Sequence, residues 1–319
     1  MNVTVNMHKK GYFLSLFVFI SVLFTGCDNT DITPNYIVIT PEDLASPMDM
    51  RTFNQEHGTS YTSYQLEAMG SQSFKDVWVY ANEENLGLWE LPCKIPVLGQ
   101  DSVKIKISPG FRMNGLSNQI PLYLFVLPYS KSFYFSQDNS HGFSSGISFK
   151  YSPDVTFPLV ESFENSTSFV PRNDGGAPFE IYNDEGENVG LIALKDSVTS
   201  FDLVSEAMRL KGYGNQTILQ IDYRMDYEKL TDGAEPPEFS VGIRYQNSSG
   251  YEEFEPLVNF RYSNSWNKVY VNLTQAISRN ASSSTGYLGN VKVSLSGYKT
   301  DMHKNINFYF DNVKIVTFE

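Results

Sequence analysis

From Phe74 to the C terminus, short segments rich in Val, Ile, Phe, Tyr and Trp alternate with turns of Gly, Asn, Asp, Ser and Pro. That rhythm restricts the chain to an all-β fold, because segments of this length and composition bury a face only by pairing with one another. Val103-Lys104-Ile105-Lys106-Ile107 alternates apolar with polar at period two, the pattern of a half-buried strand. Residues 74–80 and 86–91 flank a polar turn at 82–85, and Pro109-Gly110 ends the strand that begins after residue 101. Residues 119–128 form a further apolar run. In the C-terminal half, strands are predicted at 190–194, 200–203, 218–225, 239–245, 257–262, 268–273, 291–295 and 306–316, at the spacing of a two-sheet sandwich. Residues 273–278 alone have helical character.

The N terminus carries a different kind of signal. Lys9 and Lys10 precede an uncharged apolar run, 11–24, which is shorter than the roughly 20 residues needed to cross a bilayer. A basic flank and a run of that length fit a secretory signal peptide. Leu23-Phe24-Thr25-Gly26-Cys27 closes it and resembles the lipobox of bacterial lipoproteins, in particular those of the Bacteroidetes outer membrane. The resemblance implies cleavage before Cys27 and acylation of its thiol and new amino group, giving the two or more chains that stable anchoring requires. The expected organisation is a leader at 1–26, a lipidated tether at 27–48 leading to a first short strand, and two β modules at 49–155 and 156–319. Such a protein sits in an outer membrane, with the cell surface or the periplasmic side left open.

Within the first module, residues 76–110 resemble the short PEGA-type surface modules in the polar turn at 82–85, in Leu86-Gly87, in Leu91-Pro92 and in Pro109-Gly110-Phe111. This implies a small Ig-like sandwich with a structural or adhesive role. The second module opens on Leu159-Val160-Glu161-Ser162-Phe163-Glu164. It carries Trp266-Asn267-Lys268-Val269-Tyr270-Val271-Asn272-Leu273 and closes on Phe308-Tyr309-Phe310-Asp311-Asn312-Val313-Lys314-Ile315. These residues resemble core strands of galactose-binding-like, carbohydrate-binding-module-like jelly rolls. The resemblance implies a jelly-roll β-sandwich and, from the acidic residues of first and last strands, a structural calcium ion on Glu161, Glu164 and Asp311.

Charge and residue types exclude several functions. The formal net charge is −12 and becomes more negative when the leader leaves, so a nucleic-acid partner is not expected. Cys93 has no partner once Cys27 is acylated and reads as a small buried hydrophobe. His57, His141 and His303 are scattered without metal-ligand spacing, and neither a nucleophile elbow nor a phosphate loop is present. The carboxylates at 252, 253, 255, 235 and 238 fall in charged turns, so no enzyme activity is expected. Asp101-Ser102-Val103 and Asp196-Ser197-Val198 resemble O-glycosylation sites of exported Bacteroidetes proteins, implying modification at Ser102 and Ser197.

Period-two reading of the second module places Leu219, Ile221, Val241, Ile243, Val269, Val271, Phe308 and Phe310 inward. The opposite faces then carry Asp222, Arg224, Arg244, Asn259, Arg261, Tyr270, Asn272 and Tyr309, with Trp266 just ahead of its strand. Planar donors and acceptors suit sugar hydroxyls, and aromatic faces suit the C–H side of a pyranose. Arg224, Arg244, Arg261, Trp266, Tyr270 and Tyr309 are therefore the candidate ligand-binding residues. The expected function is non-catalytic binding of glycan by a lipid-anchored protein. The alternative is an accessory or scaffold subunit that contacts outer-membrane protein partners, through surfaces such as the aromatic run 123–134.

Overall fold

The computed structural model describes residues 34–44, 48–98, 101–135, 140–143, 146–172 and 176–319; the leader, Cys27 and the start of the tether lie outside the described residues. The first module holds β1 (Asn35–Ile39), helices α1 (Phe53–His57) and α2 (Ser63–Gly70), then β2 (Asp76–Ala81), β3 (Glu84–Glu90), β4 (Cys93–Val97), β5 (Asp101–Gly110), β6 (Val126–Leu127), β7 (Tyr129–Phe135), β8 (Ser140–His141) and β9 (Lys150–Tyr151). The second holds β10 (Val155–Glu161), β11 (Val170–Pro171), β12 (Phe179–Asp184), β13 (Glu187–Lys195), β14 (Ser200–Val204), β15 (Met208–Lys211), β16 (Thr217–Lys229), β17 (Glu238–Gln246), β18 (Glu252–Arg261), β19 (Asn267–Asn272), helix α3 (Thr274–Asn280), β20 (Tyr287–Tyr298) and β21 (His303–Phe318).

Turn chemistry explains the first hairpin. Asn82 and Glu83 both have positive φ, as the two-residue turns whose twist matches paired strands require, and Gly87 at φ +102 serves the bulge beside Val79 and Tyr80. The sheet β3-β2-β5-β7 faces the sheet β4-β1-β8. Val77, Val79, Ile105 and Ile107 from one meet Ile37, Ile39, Ile95 and Val97 from the other in a common core. Cys93 is part of that core, and burial pushes its thiol up to about 11. Residues 27–48 are thus not a tether throughout: Asn35–Ile39 is a core strand, with Ile37 and Ile39 fully buried and pairs to β4 and β8 on either side.

The second module is a sandwich of two six-stranded sheets. One runs β12-β13-β21-β16-β19, with β10 also on β21; the other runs β11-β14-β20-β17-β18, with β15 also on β20. All eight residues read as inward lie in its core. The architecture is the all-β pair of sandwiches that the strand rhythm predicts, and 273–278 appears as α3, whose first turn is tied by Asn272 Oδ1 accepting from Thr274 N at 2.9 Å.

The modules share a seam. Half of the outer face of the first of these sheets is covered, so that Ile218, Tyr270 and Val316 belong to the first module's core. Tyr270 lies among Phe74, Phe111 and Tyr123, with ring centroids 5.5–6.1 Å away. Its hydroxyl accepts from Ser73 N at 3.1 Å and donates to Gln72 Oε1 at 3.3 Å. Gln72 in turn donates to the Tyr151 hydroxyl at 2.8 Å, and Tyr151 donates to the Met69 carbonyl at 2.7 Å.

Lys314 of β21 crosses this seam. Its ammonium is fully buried and donates to the carbonyls of Ala68, Met69 and Ser71 at 2.6, 3.0 and 2.6 Å. Those carbonyls are the open C-terminal end of α2, where a helix presents unsatisfied acceptors and the negative end of its dipole. Burial pulls the Lys314 pKa well below the ordinary lysine value; Lys268 adds to this, and Asp222 and Asp311 oppose it. Replacing Lys314 by Met removes a donor from all three carbonyls and leaves Met69 with the Tyr151 hydroxyl alone. K314M is expected to lose about 3 kcal/mol of unfolding free energy in urea titration; a loss within experimental error would mean that the seam does not depend on this contact.

Candidate functional site

The uncovered half of the same outer sheet face carries the side chains of interest. Successive outward positions on β16 are Gln220, under the first module, then Asp222 at its edge, then Arg224 in the open part. On β21, Tyr309 pairs in register with Arg224, and Asp311 with Asp222. Arg224 is clamped. Its guanidinium donates to both Asp184 oxygens at 3.0 and 3.3 Å, lies 4.2 Å from the centre of the Tyr309 ring, and lies 5.5 Å from that of Trp266. Trp266 keeps 40% of its surface exposed, whereas Tyr309 keeps 7%. The arginine therefore braces an open indole face from behind.

Two depressions adjoin this clamp. One, of about 410 Å³, is lined by Asp184, Asp222, Arg224, Trp266, Asp311 and Asn312, among others. The second, of about 480 Å³, shares Glu187, Asp311 and Asn312 with it and continues along the seam to Tyr64, Glu67 and Gln72 of the first module. Tyr64 is 44% exposed. Together they form one groove with an indole at one end, a phenol at the other, and carboxylates and amides between.

The floor is a tied polar cluster. Asn312 Nδ2 donates to Asp222 Oδ2 at 3.0 Å and to Asp311 Oδ2 at 2.9 Å, and Lys268 lies 2.7 Å from Asp222 Oδ1. Burial raises the Asp311 pKa to about 7; the charges of Asp222 and Glu187 push the same way, while the Asn312 backbone N–H and Lys268 oppose it.

The six candidate ligand-binding residues separate. Arg224, Trp266 and Tyr309 gather at the clamp. Arg244 lies on the other sheet, bonded to Asp202 at 2.8 Å and stacked 4.5 Å over Phe254. Arg261 lines a third depression at the edge of the second module. Tyr270 corrects the sequence reading: it is 3% exposed and covered by the first module, so it meets no ligand from solvent. The period-two reading had its face right and could not see the neighbour. Asp184, Asn312 and Glu187, all missed, come from the β12–β13 turn and a bulge in β21; the Asp184-Glu185-Gly186 turn signal was readable, its approach to Arg224 was not.

The three residues proposed for calcium do not form a site. Glu161 is 5% exposed, and both its oxygens already accept from its own loop, from Phe163 N at 2.8 Å and from Ser168 N and Oγ. Glu164 and Asp311 face the groove instead. Among the described residues, no group of three or more His, Cys, Asp or Glu is placed to hold a metal ion. Ser102 and Ser197 are both exposed, on β5 and in the turn after β13. In the aromatic run, Tyr123 and Phe125 are core residues and Tyr134 is 79% exposed. No described helix is long and apolar enough to cross a membrane.

No family model matches the chain, and no curated protein sequence matches it. Among solved structures, the CBM22-1–GH10 modules of a Clostridium thermocellum xylanase, complexed with xylohexaose, align at 12% identity and TM-score 0.37 over 50% of this chain; the match spans only 28% of the xylanase chain. The C-terminal family 22 carbohydrate-binding module of Clostridium thermocellum Xyn10B aligns at 16% identity and TM-score 0.34, covering 51% of this chain and 93% of that one. A non-crystalline-cellulose-specific module of family 28 aligns at 15% and 0.35, covering 49% and 91%.

Asp311 gives a signed pH dependence. A carboxyl with a raised folded pKa favours folding while protonated, and that contribution is lost as pH rises from about 4 through about 7. D311N, which stays neutral, should therefore gain stability relative to the wild type across that window, by about 4 kcal/mol at pH 8, and show a constant difference above it. Thermal melts of both proteins between pH 4 and pH 9 check this; parallel curves would mean that Asp311 is an ordinary ionised carboxylate.

Proposed function

We propose that the protein is a non-catalytic glycan-binding protein, and that the groove beginning at Trp266 is where the sugar lies. The observation that carries this is the juxtaposition of an open indole, braced by Arg224 and Tyr309, with the Asp184, Asp311 and Asn312 side chains in one depression. An indole face accepts the C–H side of a pyranose, and planar carboxylate and amide groups around it accept and donate to ring hydroxyls. Binding without chemistry is supported by the floor, where Asp222 is ion-paired with Lys268 and both oxygens of Asp311 accept from Asn312. The preponderance of carboxylates, with Glu67, Glu164 and Glu187 along the groove, favours a neutral glycan over a polyanion.

The same proposal places the protein at a bacterial outer membrane, held by acylated Cys27, where a glycan-binding module would serve surface capture. A scaffold reading has one observation of its own: Leu124, Leu127 and Tyr134 are 56, 49 and 79% exposed along the aromatic run. Protein partners recovered in stoichiometric amounts from detergent-solubilised membranes would favour it.

Two measurements test the proposal. W266A should retain the wild-type melting temperature to within a few degrees, yet weaken retention on a panel of neutral plant and microbial polysaccharides at least tenfold, the effect of removing a central aromatic anchor. Equal retention of both proteins, or none by either, would remove the groove from consideration. Metabolic labelling with a fatty acid analogue should mark the wild type and leave Cys27→Ser unlabelled; labelling of both would rule out anchoring through this thiol.

A further inference from the structure

The largest of the three depressions, about 680 Å³, is not part of the groove described above. It lies beside the ends of β17, β18 and β20, with Arg261, Tyr262, Tyr298 and Met302 in its lining and residues 235–237 as one wall. Tyr298 and Met302 are 67 and 47% exposed. The volume is that of a site for a small oligosaccharide.

The wall is fixed from behind. His303 is 5% exposed; its Nε2 donates to the Glu235 carbonyl at 2.7 Å, and the Thr300 hydroxyl donates to its Nδ1 at 2.8 Å. Tyr227 packs edge-on against both Tyr262 and His303, at 4.9 and 5.7 Å. The Tyr223 hydroxyl donates to the Arg261 carbonyl at 3.0 Å and fixes the backbone from which that guanidinium projects.

Arg261 is the exception among the arginines. Arg51, Arg112, Arg172, Arg224, Arg244 and Arg279 are ion-paired, and Arg209 stacks on Tyr287. Among the described residues, the Arg261 side chain alone of these has neither an ion pair nor a ring partner, although Glu238 is its register partner across β17–β18. In a chain of net charge −12, an arginine left unpaired beside an available carboxylate is a donor fork kept open.

We propose that this depression is a second carbohydrate site, taking one sugar carboxylate on Arg261 and therefore selecting a uronic acid. Tyr298 supplies the ring face. Glu235 and Glu238 at the rim oppose further negative charge, so the preferred ligand carries a single carboxylate on an otherwise neutral oligosaccharide. The site stands independently of the Trp266 groove.

The test is calorimetric titration of the full chain with an aldobiouronic acid, one glucuronate joined to one neutral sugar, and with the same disaccharide after reduction of its carboxyl to an alcohol. The acid is expected to bind at least tenfold more tightly than the reduced form. R261Q should abolish that difference, and Tyr298→Ala should weaken both ligands, while W266A should leave the preference intact. Equal binding of acid and alcohol, no binding of either, or a preference that survives R261Q would overturn the proposal. Loss of the preference in W266A with retention in R261Q would overturn it also, by moving the carboxylate to the other site.

Discussion

Three backbone carbonyls at the end of α2 and one fully buried ammonium from β21 meet in the seam between the modules. Apart, the ammonium would be an unpaired buried charge and the helix end would lose a shared donor. The contact therefore requires both modules to be folded and docked together, and it fixes where α2 ends relative to β21. Around it, Tyr270, Gln72, Tyr151 and Met69 pass hydrogen bonds from one module to the other. The seam is a continuation of the first module's core onto the outside of the second module's sheet.

That docking defines the groove. A single sheet face is divided in two by how far the first module reaches across it. Positions two residues apart on β16 meet different fates: Gln220 is sealed in, Asp222 lies on the border, and Arg224 stays open enough to hold an indole from behind. In the polar cluster on the border, burial is what makes a charge on Asp311 expensive, and the neighbouring Asp222 and Glu187 charges add to it. The groove on this face is a property of the pair of modules, since its far end is made by Tyr64 and Glu67 of α2.

Much of the fold was legible in the residues. Period-two alternation placed all eight tested apolar side chains of the second module inside, and every strand predicted there is present. The tight turn at Asn82-Glu83 was equally readable. Helix α2 was passed over even though Thr62 and Gln65 form a complete capping box, a signal held in two residues; the helix itself is short and has no apolar stripe. Tyr270 and Tyr309 show the limit most clearly. Each is an outward tyrosine on a strand of the same sheet, and local sequence distinguishes them in no way; both are buried, but the long-range docking of residues 72–74 and 111–123 covers Tyr270, whereas Tyr309 lies under the Arg224 guanidinium. The calcium trio failed for a similar reason, because the loop at 163–168 folds back to satisfy Glu161.

Strand β1 lies at the centre of its sheet, antiparallel to β4 and parallel to β8, within a few residues of the first described position. Tension entering from the N-terminal side along the strand would meet five β4 register pairs in shear together, instead of opening them one at a time. Ile37 and Ile39 sit in the core that extends under Tyr270, so resistance at β1 is passed to the sheet that carries the groove. A pull entering at β1 would thus be carried through the core that the two modules share.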